Sequence, residues 1–341
     1  MHTLKQLMKR GTDFLGCPHA IMGGAMSWVS ERHLVAALSN AGAFGVIAAS
    51  SMSPELLETE IVETRKLLKP YQVPSTEYRV PAFGVNLIIM HPQLEELVAV
   101  CLRQKVSHVV LAGGIPSAAT IKTLKDGGAK VICFAPAEVI ARKLIKNGAD
   151  ALVIEGAEAG GHIGPVSTSV LAQEILPVVK DVPVFVAGGI GRGEAMASYL
   201  EMGAAGVQLG TRFVCATESI AHPNFKAAFI KAAARNAMPS VQVDPDFPVI
   251  PVRAIENFAT EEFKRAQVDA IAKFKSGELD KKAAQLQIEH FWAGALRKAV
   301  IDGDVERGSL MAGQSVGMVT KIQPAQEIID ELITQAEAYL A

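Results

Sequence analysis

Three segments of the chain repeat one local pattern, in which a helix ends at a glycine-alanine step and a short apolar strand follows. They are 124-LKDGGAKVICF-134, 144-LIKNGADALVIEG-156 and 200-LEMGAAGVQLG-210. Glycine beyond the last turn commonly ends a helix, and strands that are apolar throughout are buried on both faces, as parallel strands are. The pattern therefore predicts strand–helix units that build a parallel sheet covered by helices.

Extending this pattern along the chain gives eight strands separated by helical stretches. We place them near residues 20–24, 44–48, 82–87, 107–112, 130–134, 151–155, 183–187 and 205–209. Eight such units are typical of a (β/α)8 barrel, whereas a doubly wound sheet would normally have fewer strands. The sequence therefore predicts an α/β fold of the (β/α)8 TIM-barrel class.

The chain leaves this alternation after the eighth strand. From about Glu218 it becomes helical and more charged, with a proline-rich stretch, 244-DPDFPVIPVR-253. We expect a barrel over 1–217, a smaller helical cap and substrate domain over 218–309, and a C-terminal return over 310–341. The last stretch, 325–340, has helical periodicity and is expected to pack on the barrel as its last outer helix.

Charge and cysteine usage exclude several classes of function. The 33 basic and 35 acidic residues nearly balance, without a basic run beside aromatics, so nothing indicates nucleic-acid binding. The four cysteines are widely spaced without a C-x-x-C pair, which argues against a metal site or a disulfide framework and favours buried free thiols. Without a signal peptide or an apolar run of about 20 residues, we expect a cytoplasmic protein that does not enter membranes.

The residues that follow the predicted strands are rich in glycine. They are Gly23-Gly24-Ala25-Met26, Asn86, Gly113-Gly114, Gly156, Gly160-Gly161-His162, Gly188-Gly189 and Gly210-Thr211. In (β/α)8 barrels the chemistry lies at the carboxyl ends of the strands. These residues would therefore line the mouth of the barrel.

The loops after the seventh and eighth strands, 187-AGGIGRGEA-195 and 209-LGTRF-213, predict a phosphate site. Without a Cβ, Gly188 and Gly189 let backbone N–H groups close around an anion, and Thr211 adds a hydroxyl donor. The alternative is that the glycines only turn the chain. The spacing is not that of a Rossmann dinucleotide site.

Two amide side chains stand within apolar strands. Asn86 lies in 83-FGVNL-87 and Gln208 in 206-GVQLG-210. An amide can hold the edge of a planar ring because it donates and accepts hydrogen bonds. A buried amide that is satisfied within the protein is an equally weighted alternative.

Six motifs resemble the nitronate monooxygenase (2-nitropropane dioxygenase-like) family of FMN-dependent barrels, and the similarity covers nearly the whole chain. They are 21-IMGGAMSW-28, 39-SNAGAFGVI-47, 83-FGVN-86, 155-EGAEAGGHIG-164, 186-VAGGIGRG-193 and 205-AGVQLGTRF-213. The Gly-Gly-His stretch is the most specific of them. Within the family, 294-GALRKAVIDGDVERGSLMAGQSVGMV-319 looks most like the flavin-dependent enoyl-acyl carrier protein reductases of type II, although many proteins labelled nitronate monooxygenase end similarly.

The resemblance implies FMN across the barrel mouth, with His162 facing the substrate as the catalytic residue. An imidazole suits that role because its pKa lies near neutrality. The residues that it places around the cofactor are Gly24, Ala25, Met26, Asn86, Glu155, Gly160, Gly161, Ser167, Gly188, Gly189, Gln208, Gly210 and Thr211. Family members often have Gln-Gly-Gly-Met after the first strand, so Gly23-Gly24-Ala25-Met26 lacks one side-chain contact to the flavin. The histidines interpreted as surface or packing residues are His19, His33, His91, His108, His222 and His290.

The leading hypothesis is the reduction of an enoyl thioester with NAD(P)H as electron donor, with acyl carrier protein as candidate partner and a homodimer as candidate assembly. Nitronate monooxygenase and quinone reductase are the alternatives, since the flavin motifs serve all three. A non-catalytic flavin-binding protein would have no reason to place His162 at the mouth. An inosine-monophosphate-dehydrogenase-like barrel would need a cysteine in 160-GGHIGPVSTS-169, which has none. A Schiff-base aldolase would need a lysine at the end of a strand, whereas Lys130 and Lys180 lie at strand starts. Both classes are therefore disfavoured.

Overall fold

Eight parallel strands form the centre of the molecule in the computed structural model, which describes residues 2–72 and 78–341. In chain order they are β1 Ile21–Gly23, β2 Gly45–Ala48, β3 Phe83–Ile88, β4 His108–Ala112, β5 Lys130–Phe134, β6 Ala151–Glu155, β7 Val184–Ala187 and β8 Gly206–Leu209. Their order in the sheet is β1-β8-β7-β6-β5-β4-β3-β2. The predicted strands are therefore confirmed.

The sheet closes on itself between β1 and β2. The Gly23 amide donates to the Phe44 carbonyl at 2.8 Å, and the Phe44 amide donates to the Ile21 carbonyl at 2.9 Å. Because Phe44 directly precedes β2, these two bonds join the ends of the sheet order. The strands are short and almost wholly buried, as expected for a barrel filled by side chains. The predicted (β/α)8 barrel is confirmed.

Eight helices surround the barrel, one after each strand. They are Arg32–Asn40, Pro54–Leu67, Leu94–Arg103, Ala118–Asp126, Glu138–Lys146, Thr168–Ile175, Gly193–Glu201 and Ala325–Leu340. The last one packs against Gly193–Glu201, where a Cβ on Gly193 would lie 2.1 Å from the Leu332 carbonyl oxygen. The Gly193 amide also donates to Gln335 Oε1 at 2.9 Å. The closing stretch is thus the eighth outer helix, as predicted.

Two short N-terminal helices, Leu4–Leu7 and Lys9–Leu15, cover the amino-terminal end of the barrel. The Phe14 ring lies 5.2 Å from the ring of His108, which begins β4. Burial lowers the pKa of His108 to about 4, so this histidine packs as a neutral side chain. A two-stranded ribbon, Tyr71–Gln72 with Tyr78–Arg79, lies between the second helix and β3.

The chain between β8 and the last helix contains both helices and strands. The helices are Thr211–Val214, Pro223–Lys231, Phe258–Lys275 and Lys281–Arg297, with a π-helical turn at Lys298–Asp302 and 3-10 turns at Ala234–Asn236 and Gln314–Met318. The strands Ala237–Pro239, Val252–Ile255 and Leu310–Met311 form an antiparallel sheet, which the sequence did not predict. Within the described ranges, none of the helices combines the length and apolar character needed to cross a bilayer.

The two long helices in this region have a hydrophobic core of their own. Phe263 and Trp292 pack with ring centroids 4.1 Å apart, and Phe247 and Val252 contribute from the preceding loop and strand. By contrast, Phe225 of the earlier helix belongs to the core of the barrel. Below, "cap" denotes residues 237–311, which contain the antiparallel sheet and the two long helices.

Candidate functional site

The Gly-Gly-His stretch is held at the mouth of the barrel by the cap. Gly161 and His162 form a short strand that pairs with the cap strand Val252–Ile255, with His162 opposite Val252. The Ile163 amide then donates to the Pro251 carbonyl at 3.0 Å. The proline-rich stretch therefore fixes the position of His162, although the two lie about 90 residues apart in the sequence.

Glu155, the last residue of β6, couples electrostatically to His162. Burial raises the pKa of the Glu155 carboxyl to about 7, and the positive charge of His162 acts in the opposite direction. A carboxyl with this pKa can hold or release a proton near neutral pH. Titratable side chains with strongly shifted pKa values are typical of active sites.

Gly160 is required by a contact within the protein. A Cβ at this position would lie 2.6 Å from the Ala312 carbonyl carbon and from the Gly313 nitrogen. Gly161 has a φ of +79°, the left-handed region that glycine adopts without strain. The two glycines therefore let the His162 loop pass directly over the backbone of 312–313.

Glu158, which the sequence analysis did not single out, ties this loop to its neighbours. Its Oε2 accepts hydrogen bonds from the Thr168 amide at 2.8 Å and the Thr168 hydroxyl at 2.9 Å, at the start of the helix after β6. Its carbonyl accepts from the Gln314 amide at 2.9 Å. Ser167, predicted as a cofactor contact, lies at the N-cap of the same helix, with its hydroxyl 3.3 Å from that of Ser169.

The predicted phosphate loops lie side by side after β7 and β8. Gly188 and Gly189 have φ values of +96° and +71°, so the chain makes a left-handed turn at the end of β7. Gly210 and Thr211 begin the short helix after β8, where the first N–H groups have no partner within a helix. The buried Thr211 hydroxyl accepts a hydrogen bond from the Gly313 amide at 2.9 Å, which leaves its own hydrogen able to donate.

Arg212 places a buried guanidinium next to these loops. Its Nη1 donates to the Met318 carbonyl at 2.7 Å, and its Nη2 donates to Glu331 Oε2 at 3.0 Å. Its Nε is buried and has no acceptor in the part of the chain that the structure describes. This residue was not predicted, because arginine in 209-LGTRF-213 gives no sign of burial.

The loop after β1 is fixed by hydrogen bonds of its own. The Gly24 amide donates to the Leu209 carbonyl at 2.7 Å, and the Met26 amide donates to the Ser30 hydroxyl at 3.0 Å. A Cβ on Gly210 would lie 3.4 Å from Met26 Sδ, so the loops after β1 and β8 touch. The partly buried Ala25 packs against the barrel core.

Trp28 ends this loop in an unusual conformation. Its φ is +66°, which is strained for a residue with a side chain and is often found at functional sites. The guanidinium of Arg297, at the end of a cap helix, lies 5.8 Å from the centre of the indole. The cap thus contacts the loop after β1 as well as the loop after β6.

The two predicted amides lie in different parts of the barrel wall, because β1 and β2 separate β3 from β8. Asn86 is buried, and its Nδ2 donates to the Val110 carbonyl of β4 at 3.1 Å. Gln208 is also buried and lies in register with Met22 of β1 and Ala187 of β7. Asn86 therefore has a partner within the protein, whereas no described residue forms a side-chain hydrogen bond with Gln208.

Comparison with known proteins agrees with this geometry. Residues 9–335 match the model of the nitronate monooxygenase family. FabK from Thermotoga maritima has a similar solved structure, with a TM-score of 0.83, 34% identity, and coverage of 100% of this chain and 97% of that one.

Two further relatives match nearly the whole chain. A (3aS,4S,5R,7aS)-5-hydroxy-7a-methyl-1-oxo-octahydro-1H-indene-4-carboxyl-CoA dehydrogenase of Mycobacterium tuberculosis is 29% identical over 96% of this chain and 96% of that protein. A probable nitronate monooxygenase of Staphylococcus saprophyticus is 28% identical over 97% of this chain and 98% of that protein. The chain is thus an oxidoreductase, as predicted, and it belongs to the nitronate monooxygenase family.

Proposed function

We propose that this chain is an FMN-dependent oxidoreductase that reduces an enoyl thioester with NAD(P)H. In the overall reaction the β carbon of the enoyl group gains a hydride and the α carbon gains a proton, while NAD(P)H becomes NAD(P)⁺. The observation that carries the proposal is that the cap strand Val252–Ile255 pairs with His162 beyond the carboxyl end of β6, where His162 interacts electrostatically with Glu155.

The residues around the loops after β7 and β8 fit the phosphate of FMN. The Thr211 hydroxyl has a hydrogen left to donate, and the buried Nε of Arg212 lacks an acceptor among the described residues. Gly188, Gly189 and Gly210 add backbone N–H groups, and Gln208 offers an amide inside the barrel. Bound FMN would supply hydride transfer between the nicotinamide and the substrate.

His162 would orient the substrate and deliver its proton. It is exposed at the mouth, where its imidazole can donate a hydrogen bond to the carbonyl oxygen of the thioester. Glu155 holds a proton near neutral pH and can replace the proton that His162 gives up. The pairing of His162 with the cap strand limits the motion of its backbone, which would help to hold the imidazole in one position.

Different relatives support different substrates. The carboxyl-CoA dehydrogenase supports a thioester, since its own substrate is a coenzyme A derivative. The probable nitronate monooxygenases support the second candidate, in which an alkyl nitronate reduces the flavin and O₂ reoxidises it. A quinone could also accept the hydride. An acyl carrier protein in place of coenzyme A would present the same thioester to His162.

Anaerobic half-reactions separate these candidates. NADH, NADPH and an alkyl nitronate are each mixed with the FMN-loaded protein, and flavin bleaching is followed by absorbance. The proposal predicts rapid bleaching by a nicotinamide and reoxidation by crotonyl-CoA. Bleaching by the nitronate alone would favour the monooxygenase, and preferential reoxidation by a quinone would favour the quinone reductase.

His162→Ala tests the role of the histidine. We expect FMN to remain bound and reoxidation by crotonyl-CoA to slow by about 10²–10⁴-fold, the usual contribution of a general acid. His290→Ala, at an exposed histidine on a cap helix, is the matched control and should leave both half-reactions unchanged. Unchanged reoxidation in His162→Ala would exclude a catalytic histidine.

A further inference from the structure

Three large apolar side chains are exposed on consecutive connections at the mouth of the barrel. Met90 follows β3 and is 68% exposed, Ile115 follows β4 and is 43% exposed, and Val139, in the first turn of the helix after β5, is 71% exposed. We call these three residues the apolar rim. Exposed apolar side chains are common singly, but a row of them at the edge of a binding site indicates an apolar ligand.

The first two rim loops pack directly on one another. A Cβ on Gly113 would lie 2.8 Å from Ile88 Cγ2, and one on Gly114 would lie 2.9 Å from Ile89 Cδ1. Both glycines have positive φ values, so this close approach is built into the backbone. Met90 and Ile115 therefore extend from a single surface, and β5 pairs with β4 beside it.

Three loops at the mouth contact the C-terminal part of the chain; the rim lies across the mouth from two of them, those after β1 and β8, and beside the third, the loop after β6. Those contacts involve the loop after β1 through Trp28 and Arg297, the loop after β6 through the pairing of His162, and the loop after β8 through Thr211 and Gly313. In a closed barrel of eight strands, β4 is opposite β8. A substrate held between His162 and the cap would therefore extend outward across β3–β5.

We propose that the apolar rim binds the hydrocarbon portion of the acyl thioester, an inference that rests on the proposed function. The rim continues from the candidate site, since Asn86 of β3 and Val110 of β4 are hydrogen-bonded just inside it.

Affinity for saturated acyl-CoA compounds of increasing chain length tests this proposal without requiring turnover. Butyryl-, hexanoyl-, octanoyl- and decanoyl-CoA are titrated into the FMN-loaded protein by calorimetry. Once the acyl chain is long enough to reach the rim, each further methylene should increase the affinity of the wild type about twofold. This is half the free energy of burying a methylene completely, because the rim covers only one side of the acyl chain.

The variant Met90→Gln, Ile115→Ser, Val139→Ser removes the apolar surface at exposed positions. It should bind butyryl-CoA as the wild type does but lose the gain with chain length, so that decanoyl-CoA binds about tenfold more weakly. Val268→Ser, at an apolar residue that is 54% exposed on a cap helix, is the control and should keep the wild-type series.

Three outcomes would overturn the assignment of the rim. If affinity increases with acyl-chain length in the triple variant as it does in the wild type, the acyl chain must extend elsewhere on the protein. Dissociation of a wild-type dimer by the same substitutions, seen by analytical ultracentrifugation, would make the rim a contact between copies. Loss of butyryl-CoA binding in the variant would show that the rim is not specific to the hydrocarbon. If the wild type binds no acyl-CoA, the proposed function fails first.

Discussion

At the scale of single residues, Glu155 makes stability depend on pH. Burial raises its folded pKa to about 7 from the ordinary 4.5, so the folded protein keeps a proton that the unfolded chain has lost. Its contribution to stability is therefore complete below about pH 4.5 and is lost as the pH rises through 7. Glu155→Gln is neutral throughout, and its free energy of unfolding should exceed that of the wild type by about 1–3 kcal/mol at pH 8.

Urea unfolding at pH 4.5 and pH 8 measures this difference. The two proteins should be nearly equal in stability at pH 4.5 and should diverge between pH 5 and 7. Glu201→Gln, at an exposed carboxylate ending the helix after β7, is the control for removing a charge. A constant difference between the Glu155→Gln variant and the wild type across this range would contradict the assigned burial.

Alanine substitutions at Gly188 and Gly128 distinguish the energetic cost of backbone strain from that of steric contact. Both have positive φ values, +96° and +88°, but a Cβ on Gly188 would lie 2.8 Å from Thr168 Oγ1, whereas one on Gly128 meets nothing within 4 Å. Gly128→Ala should therefore cost about 1 kcal/mol from strain alone. Gly188→Ala should cost about 2–4 kcal/mol because it also displaces the Thr168 hydroxyl.

Urea midpoints give both stability losses, and equilibrium dialysis gives the FMN affinity of the same proteins. The affinity should fall only in Gly188→Ala, since Gly128 ends a helix at the opposite end of the barrel. Equal stability losses in the two variants would mean that the contact with Thr168 is unimportant. An unchanged FMN affinity in Gly188→Ala would remove this loop from the predicted phosphate site.

At the scale of elements, the long apolar runs made the barrel predictable. Each predicted strand lies within two residues of its observed bounds, because a fully buried parallel strand is a continuous apolar run between glycines. The antiparallel sheet of the cap was missed for the opposite reason. Its members Ala237–Pro239 and Leu310–Met311 have two or three residues, which is too short for any periodicity.

The same contrast applies to the candidate site. Glycines and His162 could be located because they follow apolar strands and match family motifs. Glu158 and Arg212 could not, because they act through segment 312–318: the Glu158 carbonyl accepts from Gln314, and Arg212 donates to the Met318 carbonyl. Contacts between residues more than 100 positions apart leave no local pattern in a single sequence.

At the scale of the whole molecule, the barrel and the cap have separate hydrophobic cores of very different size. The cap core contains Phe247, Phe263, Ile271 and Trp292, and partly buried Met311 packs against both cores. A small cluster gives little stability of its own, so it is expected to open before the barrel does. Segments that cover an active site are commonly drawn from such regions.

The two tryptophans make this order of unfolding measurable. Trp28 lies at the mouth and Trp292 lies in the cap core, so Trp28→Phe leaves Trp292 as the only indole. In that variant, tryptophan fluorescence should change at a lower urea concentration than the far-ultraviolet circular dichroism, which is dominated by the barrel. Adding Phe263→Leu removes packing against Trp292. It should lower the free energy of unfolding measured by fluorescence by about 1–2 kcal/mol and leave the circular dichroism midpoint unchanged.

Phe185→Leu, at a fully buried phenylalanine of β7, is the matched change in the barrel core. It should lower the circular dichroism midpoint and leave the earlier fluorescence transition in place. If the two probes instead change together in every variant, the cap and barrel unfold as one unit. The four-stranded antiparallel sheet that joins His162 to the cap would then be strong enough to couple the two cores, and cap opening could not precede substrate entry.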